Sequence, residues 1–418
     1  MEKIIELYKE YGLYITENRA IPLMKDMLKP VDRRILQSAY DVARHNFTKA
    51  AKIVGHCIGN YHPHGDLSAY ESLVKNVKLK LCDEQGSWGS KGLVDTPAAA
   101  MRYTETRLNK LTDKLAFTYI DSVPWDKFDY EIEPLYLSSV VPVGLIGDDV
   151  NYGIAFHTTL IPNYKIDDLI KRLKFLIGKD KKDITIYPNL ADNKTTDEKG
   201  ARELLKSGIS DVIFTVNHKI ISHNEYEING IPYGGRNKIK SFCEKNRLQL
   251  NDYSQKNVAI NIKGSNIVYQ NFKKSVLEYK IAFHIYVLDD NLNVISVGVD
   301  TILLNTYSIY KKTLLNYLNK EREKLLIKKE EYTIILKIKN LIKTKNINTT
   351  EELIKELKSE YEESFISTIL SKHSISSLIN INININSVDD EILKNKNSID
   401  KIDDVIYQQL DEISKFKI

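Results

Sequence analysis

Long apolar runs are absent from this sequence. No stretch approaches the roughly 20 apolar residues needed to cross a bilayer, and the opening segment MEKIIELYKE carries no apolar signal core. Membrane spans and secretion are thereby set aside, and a cytoplasmic protein is expected. Cysteine is scarce as well. Cys57, Cys82 and Cys243 are scattered and odd in number, which fits neither a disulfide framework nor a zinc-ligand spacing, so a reducing compartment is inferred. A charge excess is missing too: 60 basic against 56 acidic residues leave a formal +4, which permits nucleic acid as a partner without indicating it. No glycine-bounded loop has the spacing of a nucleotide-binding P-loop.

What is present is an ordinary globular composition, 42% hydrophobic and 28% charged, in 418 residues, a length that calls for two or three domains. Ile4, Ile5, Leu7, Tyr8 and Tyr11 recur at helical spacing until Gly12 interrupts. Pro22 and Pro30 bracket a short segment, after which Val31 opens a helix with Ile35, Leu36 and Ala39 on one side. Arg33 and Arg34 fall near its start, where cations oppose the helix dipole and a nearby anion would account for them. Thr48 to Ile58 reads as a second helix, NYHPHGD as a turn, and Asp66 as the cap of a third helix running to about Lys80.

Helix, tight turn and helix, with Lys49 and Lys52 on the first and Ser68, Tyr70 and Glu71 on the second, is what a helix-turn-helix DNA reader requires. QGSWGSKG then reads as the wing of a winged-helix domain. Past Pro97, AAAMRYTETRL favours a short helix, with Tyr103 on it or at its start, flanked by Arg102 and Arg107.

From Tyr136 to about Asp300 the runs SSVVPVGLIG, GIAFHTTLIP, DVIFTV, KNVAINIKG and YKIAFHIYVLDDNLNVISVGVD are separated by helices such as KIDDLIKRLKFLI, an α/β pattern. Leu303 to about Lys343 reads as one long helix, with Leu314, Leu318, Leu325, Ile334 and Ile338 at heptad-compatible intervals. EELIKELKSEYEESFISTIL is helical. LININININ, at 378–386, alternates but is low in complexity, either a strand or an irregular surface extension. SIDKIDDVIYQQLDEISKF is amphipathic and suited to return along the long helix as a coiled-coil hairpin. The expected fold class is α+β, in three domains: 1–135, 136–302 and 303–418.

Tyrosine is a poor nucleophile at neutral pH because its ordinary pKa is near ~10. Attack on a phosphodiester needs cations to stabilise phenolate and phosphate oxygens, and a group to carry the proton. Arg102 stands beside Tyr103, and Arg19, Arg33, Arg34, His62 and His64 lie upstream, an assortment suited to phosphoryl transfer to tyrosine. His62 and His64 lack a third ligand at a metal spacing, so no metal is expected on this chain. They are left as proton shuttles, phosphate contacts or simply polar turn residues.

KPVDRRIL, YHPHGD, QGSWGS and AAAMRYTETRL, in this order, resemble the breakage-reunion (A) subunit of type IIA DNA topoisomerases, most of all its T4-like bacteriophage branch. TTLIPNY, EINGIPYGGRNK and the long helices extend the likeness more loosely over the rest of the chain. The resemblance implies a winged-helix domain, an α/β tower domain and a long coiled-coil arm whose tip, about 344–390, forms a dimeric C-gate. It implies that Tyr103 forms a 5′-phosphotyrosyl link with duplex DNA and that Arg102 contacts the scissile phosphate. Arg19 corresponds to the family's active-site arginine, Lys29, Arg33 and Arg34 to DNA-backbone contacts, and His62 and His64 to a pair facing the tyrosine of the other protomer of a homodimer. Ile161 corresponds to an isoleucine that wedges between base pairs. ATP and Mg²⁺ are implied to be bound by a separate ATPase/Toprim subunit, with relaxation or decatenation as the outcome.

Three departures stand out. Asp32 replaces a common histidine, which puts a DNA contact there in doubt. Leu67 replaces a small hydroxyl residue that helps to hold quinolones, so weak sensitivity is expected, although Glu71 keeps the nearby acid. No β-pinwheel follows the coiled coil, so wrapping of DNA is not expected. The alternatives from the residues alone are a winged-helix architectural protein without catalysis and a tyrosine enzyme linking to 3′ ends.

Overall fold

The computed structural model describes residues 2–89, 96–128, 131–155, 157–255, 257–265, 267–345, 347 and 349–416. The chain forms two compact units, Met1–Tyr310 with Tyr407–Ile418, and Lys311–Ile406.

Helix α1, Glu2–Ile15, runs through Gly12 instead of stopping there. One interior glycine costs only ~1 kcal/mol relative to alanine, which the rest of the helix absorbs. A π-helical turn, Thr16–Ala20, follows. Helix α2, Pro30–Ala43, starts one residue earlier than expected, with proline in the first turn, where its missing N–H has no helical partner to lose. It packs Ile35, Leu36 and Ala39 against Ile53, Val54 and Cys57 of α3, Ala50–Asn60, and Ala69, Leu73 and Val77 of α4, Asp66–Lys78.

Local corrections fall around these helices. Thr48–Lys49 is a strand, β1, so Lys49 is not helical and only Lys52 rides on α3. Gly65, not Asp66, caps α4, and Asp66 is an acid in its first turn, where the dipole favours it. β2, Cys82–Gln85, and β3, Glu105–Leu108, complete a small antiparallel sheet in the order β1-β3-β2, with Thr48 opposite Thr106 and Glu84 opposite Thr106 on the other side. The end of the expected wing, Ser90–Gly92, lies outside the described residues. All three cysteines are free and buried. Burial pushes Cys57 and Cys243 up to about 11 and Cys82 up to about 12, which leaves neutral thiols at neutral pH.

Beyond residue 136 the run SSVVPVGLIG forms no strand. It is a buried irregular segment with a single 3-10 turn, Val143–Leu145. Buried carbonyls need partners, and side-chain amides supply them: Asn151 and Asn163 donate to Gly144 O at 2.8 and 3.0 Å. Gly144 is required by crowding, since a Cβ there would stand 1.9 Å from Met27 O. The remaining runs form a five-stranded sheet, Val150–Ile154, Thr158–Pro162, Glu278–His284, Ile209–Val216 and Asn193–Lys194 in spatial order, and a four-stranded sheet of His218–Ser222, Glu225–Ile228, Ile260–Lys263 and Gln249–Asp252. The second sheet has its own core, with Tyr226, Ile228, Ile260 and Phe272 packed on Ile239 and Cys243 of helix Arg236–Lys245.

The long helix spans Val299–Lys345. In the second unit Ile385–Asp400 and the start of Ile402–Ile413 return antiparallel to it: Lys311 pairs with Asp403 at 2.7 Å, Asn395 Nδ2 donates to Leu318 O at 3.1 Å, and Lys329 pairs with Asp389 at 2.6 Å. Thr350–Leu357 and Glu363–Lys372 close a core of Ile334, Ile338, Leu353, Leu357, Ile366 and Leu378. The Ile/Asn run is neither a strand nor wholly irregular. Leu378–Asn380 ends helix Ile375–Asn380, 381–384 has no regular structure, and Asn384 caps the next helix by accepting from Ser387 N at 3.3 Å.

Candidate functional site

Tyr103 ends a turn, not the expected helix, just ahead of β3, and 66% of its surface is exposed. The turn is held through its backbone. The amides of Ala50 and Ala51, first in α3, donate to Thr104 O (2.9 Å) and Met101 O (3.2 Å), so carbonyls of the turn satisfy helix-start groups that have no partner within the helix. On the other side the Tyr70 hydroxyl of α4 donates to Ala99 O and lies 3.2 Å from Thr104 Oγ1. Gly86, at φ +93°, passes close enough that a Cβ would stand 3.0 Å from Tyr103 O. The Arg102 guanidinium lies over the Tyr103 ring, 4.7 Å from its centroid. Lys49 and Lys52 are exposed at the start of α3, near the same turn, with Lys49 only 3.8 Å from Glu105. Arg107 is taken up by Asp83, at 2.8 Å.

The YHPHGD turn separates its two histidines. His62 is 5% exposed, with Arg34 Nη1 3.4 Å from Nδ1 and Ser68 Oγ 3.0 Å from Nε2. A guanidinium only donates, so Nδ1 bears the lone pair and Nε2–H donates to Ser68. The Ser68 hydroxyl passes the bond on to Gly65 O at 2.8 Å. Arg34 is itself clasped by Glu133, at 2.9 Å from Nε and 2.7 Å from Nη2. His64 is only half-buried. Arg19 Nη2 lies 3.0 and 3.1 Å from its two ring nitrogens, and the Tyr14 hydroxyl 3.2 Å from Nε2. The two imidazoles meet edge to face, 5.1 Å between centroids. Arg19, His62 and His64 are thus gathered in one place. Among the described residues no hydrogen bond or ring contact joins Tyr103 to them.

Three of the residues expected to meet DNA lie in the interior of this chain. Arg33 and Arg34 are 5% and 1% exposed, each paired with a carboxylate. Burial opposes the charge on Arg33, but Asp26, 2.7 Å from Nε, with Glu133 and Asp32 adding to it, holds the pKa above the ordinary arginine value. The anions that the helix dipole called for are carboxylates of the protein itself. Ile161 is 1% exposed because the strand's alternation turns it inward, among the core residues.

Lys29, Ser68 and Glu71 line one groove of about 420 Å³, together with Lys75, Lys78 and Tyr152. Burial holds Lys29 below the usual lysine value, with Lys75 adding to the effect and Asp32 opposing it; its ammonium donates to Tyr152 O. Asp32 faces inward and accepts from Ser72 Oγ and Lys75 Nζ, both at 2.6 Å. Burial penalises its charge, yet Lys75 and Lys29, with these hydrogen bonds, bring its pKa below the ordinary carboxylate value.

Several members were missed in the sequence. Lys75 follows Ser68, Glu71 and Ser72 at intervals that share a helix face, a signal that was there to read. Glu133, 99 residues from Arg34, and Tyr14, 50 from His64, offered none. Among the described residues no group of three or more His, Cys, Asp or Glu stands together to hold a metal, and no helix is long and apolar enough to cross a membrane.

An α+β chain with an exposed, arginine-flanked tyrosine, a histidine-proline-histidine turn and a 47-residue helix narrows the class. The model of the DNA gyrase/topoisomerase IV family, for the A subunit of these enzymes, matches residues 19–416, and the chain belongs to that family. Among individual relatives it is 35% identical to the DNA gyrase A subunit of Rickettsia typhi over 236 residues, 54% of this chain and 26% of the relative. It is 36% identical to the DNA topoisomerase 4 A subunit of Bacillus subtilis over 190 residues, 42% of this chain and 23% of the relative. The chain thus spans about a quarter of the length of the curated relatives it matches.

Proposed function

We propose that this chain is the DNA cleavage and religation subunit of an ATP-dependent type II topoisomerase, related to the T4-like bacteriophage branch. The observation that carries it is Tyr103: an exposed phenol on a rigidly pinned turn, with Arg102 against its ring, in a chain of the gyrase/topoisomerase IV family. The Tyr103 hydroxyl gives up its proton as its oxygen attacks a DNA phosphorus, the 3′ oxygen leaves and takes up a proton, and a 5′-phosphotyrosine conserves the bond for resealing. Stabilising charge on the transferring phosphoryl group is the protein's main contribution. Arg102 supplies it beside the tyrosine, while Arg19 and His64 supply it from the other protomer, with enclosed His62 holding the His64 ring edge to face. Tyr103 and that cluster, which no hydrogen bond or ring contact joins among the described residues, are read as two half-sites completed in a homodimer. Ile161 reaches DNA only if its strand rearranges.

In this proposal residues 1–135 form the winged-helix cleavage domain, 136–302 the tower, and 303–418 the arm, with a dimerising C-gate at about 344–390. Lys29, Lys49, Lys52, Ser68 and Glu71 face the duplex. Mg²⁺ and ATP belong to an ATPase/Toprim partner. Paired cuts let a second duplex pass, relaxing or decatenating DNA. The test is covalent trapping: the chain, a type IIA ATPase/Toprim partner, Mg²⁺ and DNA are mixed, denatured with detergent and examined for protein on 5′ ends. Wild type is expected to give the adduct and Tyr103→Phe none. No adduct from wild type, or an equal amount from Tyr103→Phe, overturns the proposal in favour of an architectural DNA-binding protein.

A further inference from the structure

Tyr14 sits in the last turn of α1, a helix whose Ile4 and Tyr8 are more than two-thirds exposed, yet Tyr14 itself is half-buried. Three contacts converge on it. Its hydroxyl is 3.2 Å from His64 Nε2, its ring meets the His64 ring edge-on at 82°, and the Arg19 guanidinium lies over it, 5.6 Å from the centroid. The backbone is shaped for the last of these. Five residues along a regular α-helix turn a side chain to about 140° away from the first, at roughly 100° per residue. The π-helical turn Thr16–Ala20 has i to i+5 bonding, with Ile21 N donating to Thr16 O at 3.3 Å, and brings Arg19 back toward the Tyr14 side. Asn18 Nδ2, donating to Tyr14 O at 3.2 Å, ties the two segments together.

The hydrogen-bond chemistry is selective. Arg19 can only donate, so His64 must offer it a lone pair, whereas a phenol hydroxyl both donates and accepts. Arg19 Nη2 lies within reach of both ring nitrogens, 3.0 Å from Nδ1 and 3.1 Å from Nε2; a Tyr14 hydroxyl that accepts at Nε2 keeps the proton on that nitrogen and leaves the Nδ1 lone pair to Arg19. We propose that Tyr14 is a positioning residue of the cleavage site, setting the tautomer and ring orientation of His64 and holding Arg19 against it. This rests on the cleavage function proposed above. Tyr14 touches no reacting atom; it acts through Arg19 and His64.

The test uses Tyr14→Phe, which keeps the ring and removes only the hydroxyl, in the complete assembly with its ATPase/Toprim partner, Mg²⁺ and DNA. Adduct formation is expected to slow about tenfold, the scale of a modest misplacement, with DNA affinity within about twofold of wild type. In the same variant ¹⁵N signals of the His64 ring, assigned with His64→Gln, should move from the pattern of a single Nε2–H tautomer to that of a mixture. Unchanged adduct kinetics overturn the role of Tyr14, and so do unchanged ring signals. If wild type itself gives no Tyr103-dependent adduct, the cleavage function falls and this inference falls with it; if wild type and Tyr14→Phe form the adduct equally, only the inference does.

Discussion

Tyr103 points outward from a turn fixed by its backbone, while His62 is enclosed and fixed by its side chain, through Arg34 and Glu133 on one edge and Ser68 on the other. The two lie on neighbouring connections of the same three-helix unit, His62 after α3 and Tyr103 before β3. A group that must meet an external ligand cannot be locked by its own hydrogen bonds, so the chain immobilises the peptide beneath it. A supporting group gains from burial, because a satisfied polar network in a low-dielectric interior resists rearrangement. Function and stability are therefore expected to separate between the two turns.

Substitutions that split this pair come in descending order of effect. Tyr103→Phe, which lacks the nucleophilic oxygen, should abolish adduct formation yet leave unfolding free energy within about 0.5 kcal/mol, as for other exposed positions; a large loss of stability would show the turn to be structural. Glu133→Ala leaves Arg34 charged, buried and without its carboxylate, a loss of about 3–5 kcal/mol, measurable by denaturant unfolding. A neutral result would mean that the buried relay is not what holds His62.

Asp32→Asn weakens the bonds from Lys75 and Ser72 and should cost about 1–3 kcal/mol near neutrality. The sign with pH follows from the depressed pKa of Asp32 in the folded state. Its contribution is fully present above its unfolded value of about 3.9 and is lost as pH falls through the lower folded value. Unfolding free energy should therefore fall less steeply below about pH 4 in the variant than in wild type. Gly86→Ala forces a side chain into φ +93° and against Tyr103 O. About 1–2 kcal/mol and a few-fold drop in trapped adduct are expected, which would show how far the nucleophile depends on the rigidity of its turn.

Helices were legible where apolar spacing was long and regular, as in α2, α4 and the arm, because burial of one stripe is a local consequence of periodicity. Tyr103 was legible through its motif, but its conformation was not. Helix-forming residues after Pro97 were overridden by the hydrogen bonds that α3 and Tyr70 offer to that segment. SSVVPVGLIG failed as a strand for a similar reason: Asn151 and Asn163 satisfy the Gly144 carbonyl from outside any ladder.

The order of motifs, the candidate nucleophile and the family were determined by the sequence alone, since they depend on residue types at fixed short intervals. Which arginines remain available to a ligand was decided only by the tertiary structure. Arg33 and Arg34 were indistinguishable from Arg19 as charges in a string. Their fate turned on Asp26, seven residues from Arg33, and Glu133, 99 residues from Arg34, because a charge leaves water only where folding brings it an opposite one.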